Sequence, residues 1–195
     1  KKFGKPFIRK AVRAAMKEMG NQFVLGQSIE RAIKRGKSFQ SKGYTFSYDM
    51  LGEAAMTYED ANIYFQNYKD AISVIGNSNS VKRHSISIKL SALHPRYERN
   101  KLELLEKELL PKLFELIEIA KICKVDICLD AEEADRLNLS LFLVSKILES
   151  ELIDDNYYGF GIAVQAYQQR SIFVLEWLNN KLEHLNKKMN IRLVK

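Results

Sequence analysis

The chain has 195 residues, of which 46% are hydrophobic and 28% charged, with 9 Gly, 3 Pro and a net charge of +7. This length matches one ordinary domain, and this composition excludes a disordered, collagen-like or low-complexity chain. No apolar run approaches the ~18 residues of a membrane-spanning helix, and the charges spread over the first twenty residues do not fit a secretory signal.

The positive charge is concentrated at the start of the chain. Residues 1–42 hold twelve Lys or Arg against two Glu and carry +10, whereas the remainder carries −3. Such a segment could bind nucleic acid or an anionic membrane surface. It contains few aromatic residues and no recognisable DNA-binding motif, so solvated helices are the favoured interpretation of this region, with a binding module as the alternative.

Two cysteines, Cys123 and Cys128, and three scattered histidines offer no zinc-ligand spacing and no disulfide framework. Free, reduced thiols in a cytoplasmic protein are expected. No metal site is predicted.

Residues 1–42 are predicted to form two helices. Pro6 fits a first helical turn, and Gly20 is a candidate stop for the first helix. Ser28 is a candidate N-terminal residue for the second helix, which is expected to end near Gly36.

From residue 43 onward, strands and helices alternate. Five short strands are predicted, at 44–48, 85–90, 125–129, 159–164 and 191–194. Helices are predicted at 57–75, at 101–121, within 131–150 and at 171–188. This order is typical of an α/β fold with parallel strands covered by helices. Two architectures remain open: an open, doubly wound five-stranded sheet, and a truncated barrel, since a complete barrel of this kind needs eight units and about 250 residues.

Ligands of parallel α/β proteins bind at the carboxyl ends of the strands. Polar side chains fall at all five of these ends, namely Asp49, Lys89, Asp130, Gln165, Arg192 and Lys195. Buried charges need partners, so core packing does not explain this set.

The second strand places Lys89 on one face with Ser85 and Ser87, opposite two isoleucines. We therefore expect Lys89 to point inward and to pair with Asp49 or Asp130. The alternative is a lysine that extends to the rim for solubility.

Two other polar residues have structural alternatives. Asp130 begins a stretch, Asp-Ala-Glu-Glu, that resembles a helix capping box, so capping competes with a site role. His94, before Pro95, is more typical of a structural loop histidine.

The fourth strand alternates Gly161, Ala163 and Gln165 with larger apolar residues. The small face could leave room for a planar ligand or could serve close packing between strands. Arg192 on the fifth strand suits a phosphate or another acceptor.

Five blocks carry a family resemblance. They are GYTFSYDMLGEAAMT (43–57), SISIKLSALHPRYER (85–99), DICLDAEEADRLNLSL (126–141), GFGIAVQAYQQR (159–170) and NIRLVK (190–195). In order and spacing they resemble the proline dehydrogenase domain of bifunctional proline utilization A flavoenzymes. The resemblance covers 43–195, and 7–42 more weakly resembles the helical region before that domain.

The resemblance implies an enzyme with a distorted (β/α)₈ barrel that binds FAD. Such an enzyme oxidises L-proline to Δ1-pyrroline-5-carboxylate and passes the electrons to a membrane quinone. It implies a cytoplasmic protein with possible peripheral membrane contact. The domains expected here are a basic helical segment, 1–42, and the first part of the barrel, 43–195.

Site roles carry over by motif. Lys89 and Asp130 match active-site residues near proline, and Asp49 and Glu53 match substrate-side positions. The positions matching flavin contacts are Ala163, Gln165, Arg192, Val194 and Lys195.

The family pattern continues beyond LVK with GAYWD and three further strands that this sequence does not contain. We expect the isolated chain to be unstable and inactive unless a companion chain completes the barrel. A non-catalytic remnant of a broken gene is the alternative.

Overall fold

The computed structural model describes residues 4–78, 80, 82–154 and 157–195. The chain divides into two compact units, Lys1–Thr45 and Phe46–Lys195. Each unit is described by itself.

From residue 4 onward, the first unit forms two helices, α1 (Gly4–Phe23) and α2 (Ile29–Gln40). The Ser28 hydroxyl caps α2 by accepting a hydrogen bond from the Arg31 N–H at 3.5 Å, as the sequence predicts. Both predicted helix ends are wrong, because α1 continues past Gly20 and α2 continues past Gly36. A glycine inside a helix costs only about 1 kcal/mol, which is too little to end one.

In the second unit, the described residues form five strands and six helices, in the alternation that the sequence predicts. The strands are β1 (Ser47–Asp49), β2 (Ser85–Ile88), β3 (Asp126–Leu129), β4 (Phe160–Gln165) and β5 (Asn190–Val194). The helices are α3 (Tyr58–Gly76), α4 (Leu90–Leu93), α5 (Leu102–Glu108), α6 (Leu110–Cys123), α7 (Leu137–Glu149) and α8 (Ser171–Leu185).

Several boundaries differ from those predicted. β1 starts at Ser47 and not at residue 44, and β2 ends one residue before Lys89. The single helix predicted over 101–121 is divided into α5 and α6 next to Pro111, which has no N–H to donate within a continuous helix.

The predicted capping role of Asp130 is wrong. A 3₁₀ turn, Ala134–Arg136, follows the loop after β3, and α7 begins only at Leu137 with no side-chain cap. Arg136 is the residue that precedes α7, and Asp130 lies six residues before Arg136. The Asp130 carboxylate pairs with Lys89 and Arg192 instead.

The sheet topology decides between the two architectures. All neighbouring strands are parallel, and their order in space, β1-β2-β3-β4-β5, is their order in the chain. A doubly wound sheet would contain a point where this order reverses. The sheet is also curled, because Arg192 on β5 donates a hydrogen bond at 3.2 Å to the Ser47 hydroxyl on β1. The unit is therefore part of a parallel β/α barrel.

The two faces of the curled sheet differ in chemistry. The outer face carries apolar side chains, among them Ile86, Ile88 and Ile162, which are buried. α3 and α6 pack against each other over buried Ile72 and Leu116. The inner face carries small and polar residues, so the polar chemistry is confined to the inside of the curl. Within the described ranges, no helix combines the length and apolarity needed to cross a membrane.

Candidate functional site

The strand ends bring four charged residues into one group. Lys89 Nζ donates a hydrogen bond to Asp49 Oδ1 and lies 3.5 Å from Asp130 Oδ2. Arg192 Nη2 donates to the other oxygen of Asp130. The sequence predicts that Lys89 pairs with Asp49 or Asp130, and the structure confirms this pairing with both.

The position of Lys89 follows from the local sequence. The backbone of β2 turns Ser85, Ser87 and Lys89 inward, while Ile86 and Ile88 fill the outer core. Lys89 then precedes the first residue of α4. Its side chain is 16% exposed, so it does not extend into solvent, and the alternative of a rim lysine is wrong.

The carboxylates keep Lys89 charged. Burial disfavours the ammonium, but the hydrogen bond and charge of Asp49, together with the charge of Asp130, outweigh burial and hold the pKa of Lys89 above its usual value. Asp130 is 14% exposed and Asp49 is 57% exposed. Asp130 is thus the fixed partner and Asp49 the one that solvent or a ligand can reach.

Arg192 spans the curl from the opposite edge. Its Nη1 donates to the hydroxyls of Ser47 and Ser87, each at 3.2 Å, while Nη2 is held by Asp130. Its Nε is buried and has no acceptor among the described residues. The Nε donor of the guanidinium is therefore left without a partner among the described residues.

Tyr68 supports the group from outside. Its hydroxyl accepts a hydrogen bond from the Lys89 backbone N–H at 3.2 Å. Burial raises the pKa of Tyr68 to about 12, so the hydroxyl stays protonated at neutral pH. Tyr68 on α3 thereby fixes the backbone that carries Lys89.

The residues of β4 and β5 that were predicted to contact the flavin form a second part of the inner face. Ala163 is buried, and Gln165 donates a hydrogen bond to the Glu132 carbonyl at 3.0 Å. Val194 is half-buried and Lys195 is exposed. A Cβ added at Gly161 would lie 2.5 Å from the Asn190 carbonyl oxygen, so close packing between strands explains this glycine.

Two residues lie outside this group. Glu53 is exposed in the loop after β1 and makes no ion pair or hydrogen bond with another residue that the structure describes. His94 is buried: one ring nitrogen lies 3.1 Å from Glu108 and the other accepts the Arg96 N–H at 3.0 Å. The structural interpretation of His94 is confirmed.

Sequence reasoning missed three residues of the site. The hydroxyls of Ser47 and Ser87 accept hydrogen bonds from the Arg192 guanidinium. The Tyr68 hydroxyl accepts a hydrogen bond from the Lys89 backbone N–H. The alternation of serine and isoleucine along β2 was a usable signal for Ser87. Tyr68 carries no comparable signal, because a tyrosine on the apolar face of a helix is ordinary core.

The inner face fits a flavin in its chemistry. The free Nε of Arg192 can donate to an electronegative atom of such a cofactor, and Ala163 leaves the neighbouring surface small. The described residues contain no group of three His, Cys, Asp or Glu side chains able to hold a metal ion. Cys123 and Cys128 are free thiols.

A curled parallel β/α sheet with a charged cluster at its strand ends defines an enzyme-like barrel, and comparisons with known proteins give its family. The proline dehydrogenase family model matches residues 32–195. The bifunctional protein PutA of Klebsiella aerogenes is 44% identical over 199 residues. Proline dehydrogenase 1 of Bacillus subtilis is 27% identical over 174 residues. The chain belongs to the proline dehydrogenase family.

A solved structure agrees with this assignment. A crystal structure of a Bradyrhizobium japonicum proline utilization A variant matches 97% of the chain with a TM-score of 0.81 and 42% identity, over 20% of that protein. The match to the Klebsiella protein includes 100% of this chain but only 15% of that protein. The match to the Bacillus protein includes 89% of this chain and 51% of that protein.

Proposed function

We propose that this chain is part of a proline dehydrogenase that uses FAD to oxidise L-proline to Δ1-pyrroline-5-carboxylate. The observation that supports this best is the cluster in which Asp130 holds Lys89 and Arg192 together at the carboxyl ends of the strands. Family membership supports the same reaction.

Lys89 is proposed to bind the substrate carboxylate. Its charge is maintained by two acids, and one of them, Asp49, is more than half exposed. An incoming carboxylate can replace Asp49 at the ammonium while Asp130 stays in place. Asp130 then has two tasks, because it orients both Lys89 and Arg192.

Arg192 is proposed to face the cofactor with its free Nε. Ala163 and Gln165 of β4, Val194 of β5 and the adjacent Lys195 are proposed as further cofactor contacts. The chemistry that FAD supplies when bound is acceptance of a hydride from a substrate carbon. A guanidinium at that place stabilises negative charge. Glu53 is proposed as a further substrate-side residue.

The partners we propose beyond proline are a quinone as electron acceptor and a companion chain or segment that completes the barrel. The outer side chains of β5, Ile191 and Leu193, are exposed, as are Phe173 and Trp177 on α8. Further βα units would cover these surfaces and supply the remaining cofactor contacts.

A chimera tests the proposal. In it, this chain replaces the matching segment of the Klebsiella aerogenes protein, and the unmodified parent serves as the reference. After incubation with FAD and desalting, we expect the chimera to retain a flavin absorbance band that L-proline bleaches without oxygen. Lys89→Met in the chimera should keep the band and lose the bleaching at low proline concentration. The chain alone should be colourless.

Two outcomes would oppose this proposal. A chimera that lacks flavin while the parent retains it would favour a non-catalytic remnant. A Lys89→Met chimera that is reduced as readily as the unsubstituted chimera would remove Lys89 from the substrate site.

We also propose a peripheral contact of α1 with an anionic membrane surface, in a cytoplasmic protein. On α1, exposed Ile8, Val12 and Met16 recur every four residues, and Arg9, Arg13 and Lys17 form the adjacent row. An apolar row flanked by a basic row suits the boundary of a lipid headgroup layer.

Vesicle sedimentation tests this contact. Binding to vesicles that contain anionic lipid, loss of binding at high salt, and loss on changing the basic row to Glu are expected. Equal binding to neutral vesicles would contradict it. Salt-sensitive binding to duplex DNA with none to vesicles would favour the nucleic-acid alternative.

A further inference from the structure

A hydrogen-bonded pair, Glu132 with Ser91, lies beside the charged cluster. The Glu132 carboxylate accepts the Ser91 backbone N–H at 3.1 Å on one oxygen and the Ser91 hydroxyl on the other. Ser91 is buried in α4, two residues after Lys89, and Glu132 follows Asp130 by two residues. The pair therefore joins the loop after β3 to the segment after β2.

Ser91 extends this connection to the loop after β1. Its hydroxyl oxygen accepts the Ala54 N–H at 3.0 Å, and its carbonyl oxygen accepts the Ala55 N–H at 2.9 Å. Two hydrogen bonds from adjacent residues fix both the position and the direction of this loop. The loop begins directly after Asp49.

The loop needs such support because of its backbone. Ala54 has a φ of 51°, in the left-handed region that a non-glycine residue adopts at a cost of about 1 kcal/mol. Gly52 has a φ of 137°, and a Cβ there would lie 2.4 Å from the Tyr64 ring. A segment in these conformations persists when its surroundings hold it.

The fourth strand joins the same arrangement, since Gln165 donates to the Glu132 carbonyl oxygen at 3.0 Å. Glu132 thus contacts residues after β2 and at the end of β4 directly, and the loop after β1 through Ser91. Burial raises the pKa of Glu132, while the two hydrogen bonds from Ser91 favour its charged form.

We propose that Glu132 and Ser91 are positioning residues, which hold the loop after β1 so that Asp49 stays against the Lys89 ammonium. Among the described residues, neither makes a hydrogen bond or ion pair with the Lys89 side chain. The proposal deepens the proposed function and rests on it in one respect, namely that Lys89 binds the substrate. The geometric part is a property of this chain alone.

The ammonium of Lys89 is the reporter for the test. Ser91→Ala removes the hydroxyl that links Glu132 to Ala54 and changes no charge. Ser140→Ala is its control, because the one partner of that hydroxyl among the described residues is the Leu137 carbonyl of its own helix. Glu132→Gln is the second variant, and Glu133→Gln is its control, since Glu133 is exposed and pairs with Arg136.

Two measurements on the chain test the proposal, and each has an expected outcome. By nuclear magnetic resonance, Ser91→Ala and Glu132→Gln lower the pKa of the Lys89 ammonium toward its ordinary value, and both controls leave it unchanged. By hydrogen exchange, the Ala54 amide exchanges about tenfold faster in Ser91→Ala than in the wild type.

Other results overturn the proposal. It fails if Ser91→Ala leaves both the Lys89 pKa and the Ala54 exchange unchanged. It also fails if exchange accelerates while the Lys89 pKa does not move, since the pair would then be structural only. If a variant does not fold, the wild-type protein decides the question: an Ala54 amide that exchanges as fast as that of exposed Leu51 excludes the hydrogen bond.

The chimera separates this proposal from the proposed function. There, Ser91→Ala is expected to raise the KM for L-proline several-fold, to lower kcat less, and to leave the retained flavin unchanged. A chimera without flavin would contradict the proposed function while the pKa and exchange measurements on the chain still stood.

Discussion

At the scale of single residues, the site depends on one carboxylate that serves two cations. Asp130 is the only acid in contact with both Lys89 and Arg192 among the described residues. Removing one member of a largely buried group of charges destabilises the fold by more than forming the group stabilises it. The reason is that the remaining buried charges are left without a partner.

Asp130→Asn is therefore expected to lower the free energy of unfolding by about 1–3 kcal/mol. The estimate lies below that for a fully buried pair because Arg192 is partly exposed. Urea denaturation measures the change. Asp135→Asn, at an exposed acid of the 3₁₀ turn, is the control and should stay within about 0.5 kcal/mol of wild type. A similarly small change for Asp130→Asn would contradict this prediction.

His84 is a second residue whose burial has a measurable consequence. It is buried, and its Nδ1 accepts the Phe46 N–H at 3.1 Å. Burial lowers the pKa of His84 in the folded state. The unfolded chain then binds the proton more readily, so the neutral imidazole stabilises the fold above the unfolded pKa of about 6.5, and this stabilisation is lost as the pH falls through the folded pKa.

The free energy of unfolding should consequently decrease between about pH 7 and pH 5, with His84 contributing part of the decrease. Urea midpoints over this range measure it in the wild type, in His84→Asn and in His184→Asn. We expect a shallower decrease for His84→Asn. His184 is exposed in the last turn of α8, so its variant should follow the wild type. Parallel curves for all three proteins would exclude the role of His84.

At the scale of elements, α3 has the best-defined start in the second unit. The Thr57 hydroxyl accepts the Asp60 N–H at 3.0 Å, and the Asp60 carboxylate accepts the Thr57 N–H at 2.9 Å. This reciprocal pair satisfies two N–H groups that a helix otherwise leaves unpaired. The sequence predicts a helix that begins at residue 57, and the structure confirms this start, with Thr57 as the capping residue before Tyr58.

Thr57→Ala should lower the free energy of unfolding by about 1 kcal/mol through loss of the cap. Thermal and urea unfolding of the variant measure it. Thr45→Ala, at an exposed threonine outside any helix or strand, is the matched control. If both variants lose the same stability, the capping box is not the cause.

At the scale of the whole second unit, the sheet leaves one edge strand with an exposed apolar face. Leu193 on β5 is 57% exposed, and Phe173 and Trp177 on α8 are exposed nearby in sequence. β5 pairs with β4 on one side only among the described strands. Unpaired strand edges with apolar side chains promote association between chains.

Leu193→Lys should reduce concentration-dependent self-association of the chain, because a lysine on an edge strand opposes pairing with another chain. Light scattering and sedimentation velocity measure the change. Leu51→Lys is the control, since Leu51 is 87% exposed in a loop outside the sheet. If Leu51→Lys reduces association equally, added charge is responsible and the edge strand is not.

Much of the local structure could be predicted from the sequence. Alternation of serine with isoleucine placed Lys89 inside, and the alternation of strand-like and helix-like segments located α3 and the five strands. These features depend on residues within a few positions of each other, and the backbone geometry of a helix or strand determines which of these residues share a face. The end of α2 was predicted less well, because a single glycine is a weak stop signal. The division into α5 and α6 had a local signal in Pro111, which the prediction of one helix over 101–121 did not use.

The sequence by itself determined the class of fold, the inward lysine and the candidates for its partners. The tertiary structure decided that the strands follow one another in space, that Asp130 bridges two cations and does not cap a helix, and that Glu132 meets Ser91. The physical reason is that such contacts join residues about 40 to 145 positions apart. Strand order and the curl of the sheet set those distances, and no local pattern encodes either of them.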